Sequence, residues 1–544
     1  MTNLLKNKKI HLLVIFIAVV LTHLPFLHQA FNIDAPHFIY MARQINSSPL
    51  LPYSYSINWH GTVQSGFQIM ANPPLFGYYL AGVTAFFGEK ELPLNASMIF
   101  FSIIACISMY FLARRFTKYP LLASLLLLAT PAFMVNSHTV MADTAFLAFC
   151  LVSLAFFIYA LDNNRVFMLI LSGIFAGICC LVKYNGLSVF AIFLLYAASQ
   201  KKFLNIKSWV PVFIGFFIFS LWCFASFKLY GKVHPFILFD VPGKYTYAHK
   251  YMVAIKLICQ VSYLGGAAVF PVACLIFRRR GLSDRAFFIL SLALAAFIAV
   301  ISTILLGYHG INLLLAVVFL TAGFYFICLT AKFVLNKERN SDDIFLAAWF
   351  FGMIIFNAVF TAVNVRYFLI ALAPAIFLFF RLSYRFNASR MFYAVVLTAT
   401  FLTGAAVSSA DYVFADTYRN FAQKEADVFK NSNNKIRFAG HWGFQYYMEK
   451  EGFIALSEDD TMVNKGDKII AALLPWPEGL DKSITDRMKL TGKVNVNSFL
   501  PIRVMSRAGH ANFYSYVNFP AVIGFLPYSF SSAEVETFLI YDIN

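Results

Sequence analysis

The sequence predicts an α-helical integral membrane protein of about thirteen transmembrane helices, followed by a small extracytoplasmic α/β domain at the C-terminal end. Composition carries the first part of that reading. Hydrophobic residues make up 60% of the 544 and charged residues only 13%, about half the charged share of a soluble protein, so lipid is the solvent for most of the chain. A second observation is the alternation of apolar runs with short Lys/Arg clusters. A third is the change of character near residue 410, where the apolar runs give way to a polar tail.

Taken in order, Lys6, Lys8 and Lys9 precede an apolar run from Ile10 to about Leu27. The run is long and ends in His23, Pro25 and His28 without a small-residue cleavage site, which predicts a retained first helix rather than a signal peptide. A polar, aromatic stretch follows from Gln29 to Asn72, then a short apolar run from Pro73 to Phe87. If that run crossed the membrane, the cluster Arg114, Arg115 and Lys118 would fall outside, against the rule that basic loops stay cytoplasmic. It is therefore expected to be an interfacial or re-entrant helix. The remaining spans are expected at about 96–113, 119–138, 145–161, 166–182, 187–200, 209–229, 256–277, 286–306, 311–331, 344–363, 367–380 and 391–408. The clusters Lys201/Lys202/Lys207, Arg278/Arg279/Arg280, Lys332/Lys337/Arg339 and Arg381/Arg385/Arg390 then all land in the cytoplasm. This sets the N-terminus inside and the C-terminus outside a plasma membrane, the bacterial inner membrane.

Two domains follow: a transmembrane domain over 1–410, whose first outer loop spans 28–95, and an extracytoplasmic α/β domain over 411–544. In the tail, short β-like runs at Lys435–Ala439, Lys468–Leu474 and Phe538–Asp542 are separated by Gly, Pro, Asn and Asp. The net charge of +17 does not point to nucleic acid, because the basic residues sit between apolar runs where they orient helices. All eight cysteines lie in apolar segments, so neither a disulfide framework nor a Cys-rich metal site is implied.

Ionisable residues at the outer ends of spans are costly to keep there and are candidates for function. Asp34, Asp143, Lys183 and Arg366 stand out. Asp34 follows the first span, and a carboxylate under an apolar roof is expected to have a raised pKa and to serve as a base; its bland reading is a helix N-cap. The same two readings apply to Asp143, whose functional role would be to bind acceptor or support Asp34. Lys183 and Arg366 lie where topology does not want cations, and with Tyr367 they suit a phosphate headgroup; the alternative is snorkelling to lipid. His37, His60 and His138 share the outer compartment with Asp34; His37 and His60 are candidates to bind acceptor or support Asp34, while the spacing of the three matches no metal-ligand motif. No cofactor is firmly expected, and a divalent metal remains an alternative. Tyr78 and Tyr79 are read chiefly as interfacial aromatics, with Tyr78 kept as a candidate beside the acceptor.

These segments together resemble the GT-C superfamily, in particular the bacterial glycosyltransferase family 39 group that includes protein O-mannosyltransferases and lipid A aminoarabinose transferases. The resemblance covers about residues 10–450 and is carried by Asp34 in the first outer loop, NPPLFGYYLAG (Asn72 to Gly82), a span ending in Ala113–Arg115, MADTAF around Asp143, LVKYNG around Lys183 and VRYFLIALAP (Val365 to Pro374). GHWGFQYYMEKEGF (Gly440 to Phe453) resembles the outer domain of such enzymes. The resemblance implies that Asp34 is the catalytic carboxylate and that Lys183 and Arg366 lie near the donor phosphate. The sequence departs from many relatives in having Ala35 rather than an acidic residue after Asp34, and Asn72 rather than His before the two prolines.

The implied activity is transfer of a sugar, with inversion, from a polyprenyl-phosphate donor to a hydroxyl on a lipid, polysaccharide or protein acceptor. Membrane lipids are the other expected partner, and nucleic acid is not one. A phosphate leaving group needs no general acid, so one base suffices, unlike the carboxylate pair of glycosidases. Two other classes remain: a flippase or transporter of lipid-linked sugar, which predicts inverted repeats or broken helices, neither evident in the sequence, and a non-catalytic envelope-assembly protein.

Overall fold

The computed structural model describes the chain except residues 1–6, 60, 240–248, 280, 337–338, 362, 430–435, 458–462, 476–481 and 515–523. His60 lies outside the described residues. The protein is an α-helical membrane protein with a sheet-containing C-terminal domain. Among the described residues nine helices are long and apolar enough to cross a membrane, from Lys8–Phe26 to Arg390–Ala426, and two bent helix pairs each pass the same test when taken together. Val166–Val182 and Tyr184–Ser199 are shorter apolar helices. Every span expected from the sequence has a helix among these. Leu75–Phe87, at 13 residues, is about 20 Å long, short of the ~30 Å hydrocarbon core, and it packs against the helices Ala35–Ser47 and Glu91–Phe116.

The bent pairs are a departure from the expectation of unbroken helices. Pro120–Ala129 and Pro131–Ser137 meet at 66°, and Val253–Gly266 and Phe270–Phe277 at 73°. Proline explains the first break: Thr130, preceding Pro131, is held extended (ψ 137°), as the ring of a following proline demands. The second break closes on Val269, whose φ of +67° is strained for a β-branched residue, with Pro271 opening the next piece. The breaks meet, the Ala132 N–H donating to the Ala267 carbonyl at 3.0 Å.

Two chemically distinct ends result. At one, Arg115 bridges Asp162 (2.7 Å) and Asp342 (2.5 Å), Arg381 joins Asp342 and Asp343, and Tyr196 donates to Asp162 at 2.7 Å. The ends of five helices are tied there around Arg115 and Arg381, two members of the basic clusters read in the sequence, and this end is the basic rim. Asp143 and Asp162 lie near opposite ends of the helix Ala142–Asn163, and Arg366 and Arg381 near opposite ends of Val365–Arg385. The basic rim is thus roughly 22–28 Å from the end holding the candidate site.

The C-terminal domain caps that second end. Its five-stranded sheet runs in the order Ile454–Ala455, Ile436–Ala439, Lys468–Ala472, Glu536–Ile543, Met488–Val496, parallel across the first three and antiparallel thereafter. Each of the three β-like runs of the tail holds a strand of it, with Lys435 of the first lying outside the described residues. The helix Arg390–Phe429 continues unbroken past residue 410 and carries the sheet: Phe421 stacks on Phe538 with ring centroids 3.6 Å apart, and the Tyr418 hydroxyl donates to Glu536 at 2.8 Å.

Candidate active site

Asp34 closes a turn that the sequence alone would not favour. Ile33, just before it, has φ +54°, a left-handed conformation costly for a β-branched side chain. The turn persists because each residue leading into it is held from another element. Asn95 donates to the carbonyls of Leu27 and Gln29, Gln29 donates to Asp411 (2.7 Å), the Ala30 N–H to Asp416 (3.0 Å), and the Phe31 N–H to the Tyr447 hydroxyl (2.9 Å). Asn32 accepts from the Gly443 N–H at 3.3 Å. Gly443 has to be glycine for this approach, since a Cβ there would stand 2.2 Å from the Phe31 carbonyl oxygen.

Asp34 occupies the N-cap position of the helix Ala35–Ser47, yet its side chain makes no capping bond. It instead accepts from Nη1 of Arg366. The Arg366 side chain is 11% exposed and that of Asp34 32%. Burial pushes the Asp34 carboxyl up, but the Arg366 guanidinium, helped by His37 and Lys183, outweighs it and holds the group below the usual carboxylate range. The raised pKa expected from the sequence is therefore corrected: the roof is there, but a guanidinium lies beneath it.

Arg366 sits in the first turn of Val365–Arg385, where the helix dipole disfavours a cation and an anionic partner is needed. Asn364 caps that helix, accepting from the Tyr367 N–H at 3.3 Å. Its other amide arm donates to the Tyr514 carbonyl (3.0 Å), and the Val365 N–H donates to the Phe513 carbonyl (3.1 Å). The Nε of Arg366 is buried with no partner among the described residues.

A second ion pair lies alongside. Lys183, at the end of Val166–Val182, donates to Asp143 at 2.7 Å, with side chains only 7% and 4% exposed. Asp143 is in the first turn of its helix behind Met141 at the cap, so it does not serve as the N-cap. Neither cation snorkels; both are buried and paired. Lys183 Nζ lies 4.6 Å from the centre of the Tyr367 ring. Asp143, Lys183, Asn185, Asn357, Arg366 and Tyr367 line one small pocket. Asn357 fixes Tyr367 by donating to its carbonyl at 2.9 Å.

Of the other sequence candidates, His37 acts on Asp34 from the same helix and is buried with its ring against Trp59 (3.8 Å), whereas His138 lies between Phe26 and His23. Among the described residues no group of three or more His, Cys, Asp or Glu is placed to hold a metal ion. The Tyr78 hydroxyl donates to the Pro49 carbonyl, pinning Leu75–Phe87 to the preceding loop. Asn364, Asn357, Gln29 and Asp411 were missed by sequence reasoning. Asn364 had a signal, standing directly before a helix in N-cap position; the others become visible only once the chain is folded.

Residues 71–224 match the family model described as dolichyl-phosphate-mannose-protein mannosyltransferase. The GT-C resemblance is borne out. The matched segment contains Asp143 and Lys183, whereas Asp34 and Arg366 lie outside it. A comparison with curated protein sequences gives no significant match. Among solved structures, the apo oligosaccharyltransferase of Archaeoglobus fulgidus is similar at 16% identity and a TM-score of 0.48, over 83% of this chain and 65% of that one. The oligosaccharyltransferase AglB of the same organism, in complex with an inhibitory peptide and a dolichol-phosphate, gives 15% and 0.48 over 83% and 64%. ArnT from Cupriavidus metallidurans bound to undecaprenyl phosphate gives 13% and 0.43 over 85% and 93%. The chain spans about two thirds of the length of the archaeal structures.

Proposed function

We propose that the chain is a membrane glycosyltransferase that moves a hexosyl or pentosyl group from a polyprenyl-phosphate donor to a hydroxyl acceptor at the extracytoplasmic face, with inversion. The observation that carries this reading is the convergence of Asp34 and Arg366, 332 positions apart in sequence, beside the Lys183–Asp143 pair. A carboxylate, a guanidinium with donors to spare and an ammonium are what transfer from a lipid phosphate requires. The description of the family matched over residues 71–224 names a donor of that class.

In this mechanism the donor phosphate takes the guanidinium donors of Arg366 that Asp34 leaves free, and Lys183 supplies a point charge beside it. The acceptor oxygen attacks the anomeric carbon from the side opposite the phosphate and a new C–O bond forms. The bond from that carbon to the phosphate oxygen breaks, and its electron pair leaves on the phosphate. Arg366 and Lys183 stabilise the charge developing there. The hydroxyl proton passes to Asp34, which is ionised beforehand because Arg366 keeps its pKa low. Asp143 holds Lys183 in place. The extracytoplasmic placement rests on the basic rim at the opposite end of the bundle, the end that topology signals assign to the cytoplasm.

Transport of a lipid-linked sugar is the competing reading, and the two broken spans favour it, because discontinuous helices line transporter sites. At the breaks, however, stand Thr130, Pro131, Ala132 and Ala267 to Phe270, with no ionisable group, while the charged cluster is at the bundle end. Purified protein in proteoliposomes, given a panel of radiolabelled polyprenyl-phosphate sugars and membrane extract as acceptor, separates the two. Label leaving the polyprenyl phosphate for a new product supports transfer. Label crossing the bilayer still attached to its lipid would establish transport instead.

A further inference from the structure

Asp411 is a buried carboxylate, 2% exposed, on the long helix Arg390–Phe429. Among the described residues no cation bonds to it. One oxygen accepts from the Gln29 amide at 2.7 Å and the other from the Tyr514 hydroxyl at 2.7 Å. A buried carboxylate with neutral partners alone is expensive, and apolar packing commonly serves stability as well or better. What the carboxylate provides is direction: two bonds, to two segments distant in sequence. Gln29 opens the strained turn that ends in Asp34. Tyr514 accepts from Asn364 through its carbonyl, and its neighbour Phe513 accepts from Val365, the two residues preceding Arg366. The bonds form a closed circuit from Asp34 through the turn to Gln29, Asp411, Tyr514 and Asn364, and back by Arg366 to Asp34.

We propose that Asp411, acting through Gln29 and Tyr514, is a positioning residue that sets the approach of Asp34 to Arg366, and that the C-terminal domain thereby completes the active site. The inference rests on the transferase reading above. Catalysis is sensitive to this geometry, since a displacement of about 1 Å at a reacting group costs up to about a hundredfold in rate. Tyr514 belongs to the C-terminal domain, so the tail is part of the catalytic machinery's frame rather than an attached module.

The test uses the full-length protein and compares kcat, KM, binding of undecaprenyl monophosphate and the thermal unfolding midpoint. Tyr514→Phe removes one hydroxyl and Asp411→Leu removes both acceptors. Each is expected to lower kcat by about tenfold or more, with KM for the donor and the Kd for undecaprenyl monophosphate within about twofold of wild type. Asp411→Asn is expected to recover much of the loss, because the Gln29 amide and the Tyr514 hydroxyl can each reverse their roles toward an amide. In an Asp34→Asn background, Tyr514→Phe should add less than about twofold, since the group being positioned is already gone. Wild-type kcat in Tyr514→Phe, with Asp34→Asn impaired, would overturn the positioning role and leave the transferase reading standing. An equal loss from Tyr514→Phe in both backgrounds would also overturn it. Wild-type turnover by Asp34→Asn itself would instead remove the base assignment and this proposal with it.

Discussion

A carboxylate held by a guanidinium stays ionised to low pH, but it is a weak proton acceptor until the guanidinium finds another anion. In the proposed site that anion is the donor phosphate, so donor binding draws Arg366 partly away from Asp34 and raises the basicity of the carboxylate where the proton must go. The sign of the pH dependence follows. Asp34 has a depressed pKa in the folded protein, so its ionised form persists below the ordinary carboxylate pKa of ~4 and is lost only as pH falls through the depressed value. Any stability that the pair contributes is full above the ordinary pKa of ~4 and is lost progressively as pH falls from there through the depressed value. The acidic limb of kcat/KM is therefore expected below about pH 4 in the wild type. In Arg366→Met the burial of Asp34 is opposed only by the weaker influence of His37 and Lys183, and that limb should move upward into the accessible range. A pH–rate profile for the two proteins checks this; an acidic limb unmoved by Arg366→Met would mean that the titrating group is not Asp34. The four charged residues were legible one at a time, because cations and carboxylates at outer span ends have no topological reason to be there. Their pairing was not, since Asp34 with Arg366 and Asp143 with Lys183 are contacts between distant segments that no local pattern encodes.

At the scale of elements, the Lys183–Asp143 pair ties the end of one span to the start of another inside the bundle. Breaking a buried pair from one side leaves an uncompensated charge, at a cost of about 3–5 kcal/mol. Lys183→Met is accordingly expected to destabilise the protein strongly, and Lys183→Met with Asp143→Asn to regain a large part of that loss. Thermal unfolding in detergent measures both, and a double variant no more stable than the single one would show that the pair is not the source of the effect. Donor use should remain impaired in both variants. Hydropathy and charge made the spans legible, and short β-like runs set between Gly, Pro, Asn and Asp made the three inner strands of the tail legible. The strand Met488–Val496 escaped because it is an edge strand of the sheet with no fully buried residue, so its sequence carries no apolar run to mark it. The bends at Thr130 and Val269 had signals in Pro131 and Pro271, but an apolar run long enough to span hides a break within it.

On the scale of the whole molecule, the site lies between a helical bundle and a domain that holds both halves of the Asp34–Arg366 pair from the same end. If that end is extracytoplasmic, a cysteine at Phe499, which is 92% exposed, should react with an impermeant thiol reagent in spheroplasts. Labelling only after permeabilisation would invert the topology and remove the argument for a lipid-phosphate donor. The most direct measurement of the account is transfer by Asp34→Asn. The substitution keeps the size of the side chain and its ability to accept from Arg366, and no capping bond is lost because none is made. Radiolabel transferred from the polyprenyl-phosphate sugar by purified protein should fall by about a hundredfold or more, with undecaprenyl monophosphate still bound as in the wild type. Transfer at close to the wild-type rate would contradict the assignment of Asp34 as the base.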